Sequence, residues 1–92
     1  MAFCTIVEFE WNESLGRERF ESLTAASAAD DRAPDGRLAR ITGIDDAGAR
    51  VVEVWRSAAD ASAFAEASTA VTGQMPAPAR VVGFEVTSYV LG

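Results

Sequence analysis

The sequence predicts an α+β fold: a ferredoxin-like protomer with the order β-α-β-β-α-β and two helices on one face of a four-stranded antiparallel sheet. Three observations predict it. Side chains alternate between two faces in four segments, as they do in strands. Helical spacing follows the first and third of these segments. Right-handed β-α-β crossovers then place the first and third strands at the centre, in the order 4-1-3-2.

The first half of the chain carries one clear strand, one helix and one weaker strand. Alternation from Phe3 to Trp11 predicts the first strand. Asn12 and Ser14 break this strand and are candidate N-caps for the helix that follows. A second strand is predicted over 37–44, with Leu38 on the same face as Arg40. A short hairpin connection, rich in Asp and Gly, then joins it antiparallel to the third strand.

The third strand leads directly into the second helix. Within 48–55, Glu53 and Trp55 lie on the same face of the strand. Ser57 has Asp60 three residues later, a spacing in which the hydroxyl caps the helix and the acid reaches back. An aromatic ring and an ionisable carboxylate are therefore expected together where a central strand ends and a helix begins.

The last strand, predicted over 80–91, is apolar on both faces, and so is the first strand. Two helices cover only one face of a four-stranded sheet. Leaving the second face in water would expose an apolar patch larger than soluble monomers usually tolerate. Covering several hundred Å² stabilises by many kcal/mol at about 25 cal/mol per Å². A second copy of the sheet is the simplest cover, so we predict a homodimer.

The composition limits the class of protein. Ninety-two residues favour one domain, 1–92, and the net charge of −6 with scattered arginines argues against a nucleic-acid partner. The chain has no His, one Cys and no glycine-rich dinucleotide fingerprint, so we expect neither a metal nor another cofactor. No apolar run approaches the ~20 residues of a membrane helix. The first residues lack the basic start of a signal peptide, which favours the cytoplasm.

Three parts of the chain together resemble a known family. Residues 6–11, then 50–57 with Phe64, and a last strand ending at 89–91 resemble the dimeric α+β barrel proteins of the antibiotic biosynthesis monooxygenase type. The resemblance covers nearly the whole chain and implies a dimeric barrel. For some members it also implies oxidation of anthrone-like polyketides without a cofactor, inside a dry pocket. Trp55 matches the strand-end tryptophan of such pockets.

The same resemblance separates this chain from the haem-degrading members. Those proteins are similar in fold but hold iron through a histidine on the second helix, where this chain has Thr-Ala-Val-Thr at 69–72. They also place an asparagine on the first strand, where this chain has apolar residues such as Val7. The resemblance therefore disfavours haem breakdown.

Glu53 and Trp55 are the candidate catalytic residues. Burial of Glu53 would disfavour its charged form and make it a candidate general base for a phenol or an activated C–H; alternatively, it pairs with a neighbouring arginine such as Arg40. Trp55 either walls a substrate pocket or is core at the helix–sheet junction. Tyr89 either orients a ligand oxygen or crosses the dimer seam. The candidate substrate-binding residues are Val7, Phe9, Arg40, Phe64 and Tyr89.

Three functions are consistent with these residues. The first is a small monooxygenase-like enzyme that oxidises a hydrophobic aromatic or polyketide-type substrate without a cofactor. The second is a ligand-binding or purely structural dimer of the same fold, which the lack of His and of a first-strand Asn favours. The third is a cyclase or isomerase that uses the same pocket without consuming oxygen.

Overall fold

The structure, a computed structural model, describes residues 1–28, 34–69 and 77–88. The elements are β1 (Phe3–Glu10), α1 (Arg17–Ala28), β2 (Arg37–Ile44), β3 (Gly48–Trp55), α2 (Ala58–Thr69) and β4 (Arg80–Glu85). They form one antiparallel sheet in the order β2-β3-β1-β4. The predicted element order and sheet order are confirmed. Within the described ranges, no helix is long and apolar enough to cross a membrane.

The core lies between the sheet and the helices, on the face formed by the odd-numbered residues of the two central strands. In the register of β1 with β3, Val7 lies opposite Val51 and Phe9 opposite Ala49. The ring of Phe20 from α1 packs on Phe9, with centroids 6.1 Å apart. Trp11 packs edge-on against Phe20, also on this side, as the alternation predicts.

The helix α1 begins later than the sequence suggests. Its first residue is Arg17, and the amide of Phe20 donates to the carbonyl of Gly16. The side chain of Asn12 instead closes a turn, because its Oδ1 accepts from the amides of Ser14 and Leu15 at 2.8 and 2.9 Å. The prediction that Asn12 or Ser14 caps the helix was wrong, since asparagine bonds its local backbone equally well in a turn.

The strand β4 is shorter than predicted. It ends at Glu85, which lies opposite Phe3, the first residue of β1. The amide of Val86 makes one more bond, to the carbonyl of Ala2 at 2.9 Å. An edge strand has a neighbour on one side only, so pairing stops where β1 runs out. The predicted end of this strand, 89–91, lies outside the described residues.

The hairpin between β2 and β3 forms as predicted. The carboxylate of Asp45 accepts from the amides of Ala47 and Gly48, at 2.8 and 3.0 Å. These two hydrogen bonds lower the pKa of Asp45. Gly48 is required here, because a Cβ at this position would collide with the backbone carbonyl oxygen of Phe9.

A register shift between Arg37 and Ala39 changes the faces of β2. Leu38 falls in this irregularity and is exposed. Its predicted place on the same face as Arg40 stays a prediction. Beyond the shift the alternation holds, and Arg40 lies opposite Glu53. The shift also brings Arg37 opposite Trp55.

The face of the sheet away from the helices is apolar except at the hairpin end, where Glu8 lies between Arg50 and Arg80. In the register, Cys4 lies between Val54 and Phe84, and Ile6 lies between Val52 and Val82. Burial among these neighbours raises the pKa of the Cys4 thiol. Two large side chains of this face are exposed: Ile41 by 64% and Phe84 by 45%. We refer to this surface as the open face; its members are Cys4, Ala39, Ile41, Ile6, Val52, Val54, Val82 and Phe84.

Candidate functional site

The candidate site lies where β3 meets α2, on the covered side of the sheet. Trp55 is the last residue of β3 and is only 1% exposed. Its ring centroid lies 5.1 Å from that of Phe64 on α2, with the planes tilted by 36°. The contact lies within the distance at which two aromatic rings attract each other, and it joins the helix to the strand end.

The local sequence sets the direction of α2 at this point. The Oγ of Ser57 accepts from the amide of Asp60 at 3.2 Å, which confirms the predicted N-cap. The carboxylate of Asp60 accepts from the Ser57 hydroxyl at 3.0 Å rather than from its amide. Arg56 also donates to Asp60, at 3.1 Å. The bonds from Arg56 and Ser57 hold the pKa of Asp60 below its ordinary value.

The segment before β2 docks on this helix start. The carbonyl of Gly36 accepts from the amide of Arg56 at 2.7 Å. Gly36 has a φ of +82°, and a Cβ there would lie 2.5 Å from the carboxyl carbon of Asp60. Only glycine combines this left-handed conformation with so close an approach. The docking fixes where Arg37, the next residue, enters the sheet.

Three polar side chains meet beside Trp55. Glu53 is 8% exposed, and its Oε2 accepts from Nη1 of Arg37 at 3.2 Å. Thr5 lies opposite Glu53 on the neighbouring strand β1. The indole Nε1 of Trp55 donates to Oγ1 of Thr5 at 3.4 Å. A carboxylate, a guanidinium and a hydroxyl are thus set in a covered layer next to two aromatic rings.

Sequence reasoning missed two of these residues. Thr5 could have been found, because pairing the first and third strands antiparallel puts it on the face of Glu53. Arg37 could not have been found. In a regular strand its side chain would lie on the opposite face of the sheet from Arg40, and the irregularity before Ala39 has no signature in the sequence.

The predicted site residues fall into two groups. Glu53, Trp55, Phe64 and Arg40 lie together, with Arg40 opposite Glu53. Phe9 lies in the cluster around Phe20, away from Trp55, and Val7 packs against the same cluster. On β1, Val7 is two residues after Thr5, the residue that lies opposite Glu53. Tyr89 lies outside the described residues.

A surface depression lies away from this site. It measures about 300 Å³ and is found where β1 and β3 meet the hairpin, at the opposite end of the sheet from Trp55. Arg50 is one of its lining residues and pairs with Glu8 at 3.2 Å and with Asp45 at 3.7 Å. These groups are largely exposed, so the pairs contribute little stability.

Among residues 1–28, 34–69 and 77–88, no group of three or more His, Cys, Asp or Glu could hold a metal ion.

The helix start gives a prediction about acid stability. The pKa of Asp60 lies below its ordinary value of 3.8, so its contribution is fully present above that pH and is lost as the pH falls through the lower, folded-state pKa. We expect Asp60→Asn to be less stable than the parent chain at neutral pH. The difference should shrink toward zero in strong acid. Urea unfolding at several pH values measures it.

The control for this prediction is Asp46→Asn, at an exposed hairpin position. It should follow the parent chain at every pH. A deficit of Asp60→Asn that persists unchanged into strong acid would show that the carboxylate charge is not what stabilises the helix start.

Comparisons with known proteins support the fold. No protein-family model and no curated protein matches the chain. Among solved structures, a mutant of the haem degrader MhuD from Mycobacterium tuberculosis, with two manganese protoporphyrin IX per active site, aligns over 100% of both chains at 21% identity and a TM-score of 0.70. A protein of Chloroflexus aurantiacus, provisionally assigned as an antibiotic biosynthesis monooxygenase, aligns over 100% of both chains at 15% identity and a TM-score of 0.68.

A third structure, MupZ from Pseudomonas fluorescens, matches 89% of this chain and 66% of its own, at 17% identity and a TM-score of 0.67. At such identities the likeness establishes the fold. The predicted resemblance to proteins of the antibiotic biosynthesis monooxygenase type is therefore confirmed at the level of structure, over the full length of the chain.

Proposed function

We propose that this chain is a small monooxygenase-like enzyme that uses O₂ to oxidise a hydrophobic, polyketide-type aromatic between the sheet and α2. The observation that carries the proposal is the polar set beside Trp55. Buried charged groups are costly, and they are expected where chemistry or recognition needs them. Here Glu53, Arg37 and Thr5 lie next to two aromatic rings that suit a planar ligand.

The structural neighbours support a planar ligand. MhuD accommodates two porphyrins per active site, so this fold can hold flat molecules much larger than an anthrone. A haem substrate is not what we propose, because the chain contains no His. We propose that no cofactor takes part: the composition offers no haem or metal ligand set, and the sequence has no dinucleotide fingerprint.

The proposed reaction draws its electrons from the substrate. A base removes a proton from an acidic CH₂ beside a carbonyl, and the resulting enolate reacts with O₂ to form a C–O bond. The peroxide then loses water, so that CH₂ and O₂ become C=O and H₂O. Glu53, or a water molecule, is the base. The guanidinium of Arg37, 3.2 Å from Glu53, offsets negative charge that develops on the substrate.

A second candidate, the ligand-binding or structural dimer, is favoured by a specific observation. Trp55 is packed on Phe64, and Oε2 of Glu53 is held by Arg37. Both residues therefore already have structural roles that need no substrate. Oxygen consumption separates the two functions.

The test is turnover of an anthrone in air by protein treated with a chelator, followed with an oxygen electrode. We expect oxygen uptake equal to anthrone consumed, and none under argon. Trp55→Phe should lower turnover by about tenfold or more, because it removes the indole that shapes the site. Trp11→Phe is the matched control, since Trp11 packs on Phe20 in the other cluster.

A second pair of variants tests the base. Glu53→Gln should lower turnover most at low pH, where less of the substrate is already ionised, whereas Glu8→Gln should have no effect. Binding without oxygen uptake would favour the ligand-binding dimer. Conversion that continues under argon would indicate a cyclase or isomerase instead.

We further propose that the protein works as a homodimer whose two open faces pack together. The open face is apolar from strand to strand, and the helices lie on the other side of the sheet. A self-complementary apolar sheet is what a two-fold interface requires. The single domain over 1–92 and the cytoplasmic location remain predictions from the sequence.

A further inference from the structure

The guanidinium of Arg37 is only partly engaged. Its Nη1 binds Glu53 at 3.2 Å, and its side chain is 17% exposed. In the described parts of the chain, its Nε and Nη2 make no hydrogen bond. A guanidinium has five N–H donors arranged as a fork that can hold two oxygens at once. Toward the described residues, one edge of the fork is therefore open.

Stability alone does not account for this ion pair. A buried pair made through a single hydrogen bond seldom stabilises a fold more than apolar side chains of the same volume. The pair is nevertheless held in a defined place, because Gly36 is docked on the start of α2 immediately before Arg37. A rigidly placed cation with an open edge is suited to recognition.

The surroundings of Arg37 define the ligand. Trp55 lies opposite Arg37 in the strand register, and Phe64 packs on Trp55, so a flat apolar body has aromatic neighbours. The hydroxyl of Thr5 accepts from Trp55, which leaves its own hydrogen to donate. Both available donors favour oxygen atoms that carry negative charge.

We infer that the open edge of Arg37 is an anion subsite for an aromatic ligand with an ionised oxygen, either a carboxylate or an enolate. The inference rests on the proposed function only in placing the ligand beside Trp55. It adds that the ligand carries a negative charge when it binds, which the fold does not require.

The test compares two probes of the same shape, 2-naphthoate and 2-naphthamide, by isothermal titration calorimetry. We expect the parent chain to bind the anion about tenfold or more tightly than the amide, since hydrogen bonds to charged groups are the stronger ones. Arg37→Gln should reduce this preference to less than about twofold. Arg37→Lys, which keeps the charge and loses the fork, should show an intermediate preference.

Arg50→Gln is the matched control, because Arg50 also pairs with a glutamate but lies at the other end of the sheet. It should bind both probes as the parent chain does. The NMR shift of the Trp55 indole N–H, identified in Trp11→Phe, should move with naphthoate. Should Arg37→Gln fail to fold, the comparison rests on Arg37→Lys and on the parent chain.

Equal affinity for the two probes in the parent chain would overturn the inference, as would a preference that survives in both Arg37 variants. The outcome is independent of the oxygen experiment. An anion preference without oxygen uptake keeps the subsite and removes the proposed reaction. Oxygen uptake without an anion preference keeps the proposed reaction and removes the subsite.

Discussion

Replacing Trp55 by alanine is expected to lower the free energy of unfolding by about 3–5 kcal/mol. The side chain is 1% exposed, packs on Phe64 and donates to Thr5, so the substitution removes buried area and leaves a cavity. The cavity would lie between the end of β3 and α2, where Trp55 now packs on Phe64. Urea unfolding followed by circular dichroism measures the loss.

Trp11→Ala is the control for this prediction. Trp11 is half-buried at the end of β1 and should cost less than half as much. A loss of under about 1 kcal/mol for Trp55→Ala would mean that the layer around Trp55 is loosely packed in solution. Such a result would favour a preformed pocket over core packing.

The features that the sequence predicted correctly are those set by neighbouring residues. Strand alternation set the faces of β1 and β3, so that Glu53 and Trp55 share one face as predicted. Which of the two faces lies under the helices is shown by the structure alone. Ser57 caps α2 because its hydroxyl is one turn away from the amide of Asp60. The hairpin forms because Asp45 bonds two amides within its own turn. Each of these interactions spans three residues or fewer, or follows a period of two.

The features that sequence reasoning missed depend on a choice between two local structures or on a partner distant in the sequence. Asn12 can cap a helix or close a turn, and the sequence does not weigh the two. The bond of Arg37 with Glu53 joins residues sixteen apart and needs an irregular step in β2. No local pattern encodes that step, so the sequence indicated Arg40, which does lie opposite Glu53, and did not indicate Arg37.

These differences change the chemistry expected of the site. Sequence reasoning left two roles open for Glu53: a carboxylate that burial makes a candidate base, or the partner of an arginine such as Arg40. In the structure, the guanidinium of Arg37 binds one oxygen of Glu53, and the hydroxyl-bearing Thr5 lies opposite Glu53 on β1. A carboxylate that holds an arginine in place can act through that arginine. For this reason the effects of Glu53→Gln and Arg37→Gln should be measured together, as neighbours in one network are seldom additive.

Phe84→Asp is expected to weaken the proposed homodimer by about 100-fold or more in dissociation constant. Phe84 lies on the open face and is 45% exposed in a single protomer, so the protomer itself can tolerate a polar side chain there. In a two-fold interface the substitution appears twice, and each copy places a carboxylate against apolar side chains such as Cys4.

Sedimentation velocity at micromolar concentration measures the result. The parent chain should sediment with about twice the 9.7 kDa mass of one chain, and Phe84→Asp with about that of one. Val81→Asp is the matched control, because Val81 is on the same strand, is 63% exposed and lies opposite Val7 on the other face. It should remain dimeric. A parent chain that sediments as a monomer would contradict the dimer, and dissociation by Val81→Asp alone would place the interface on the other side of β4.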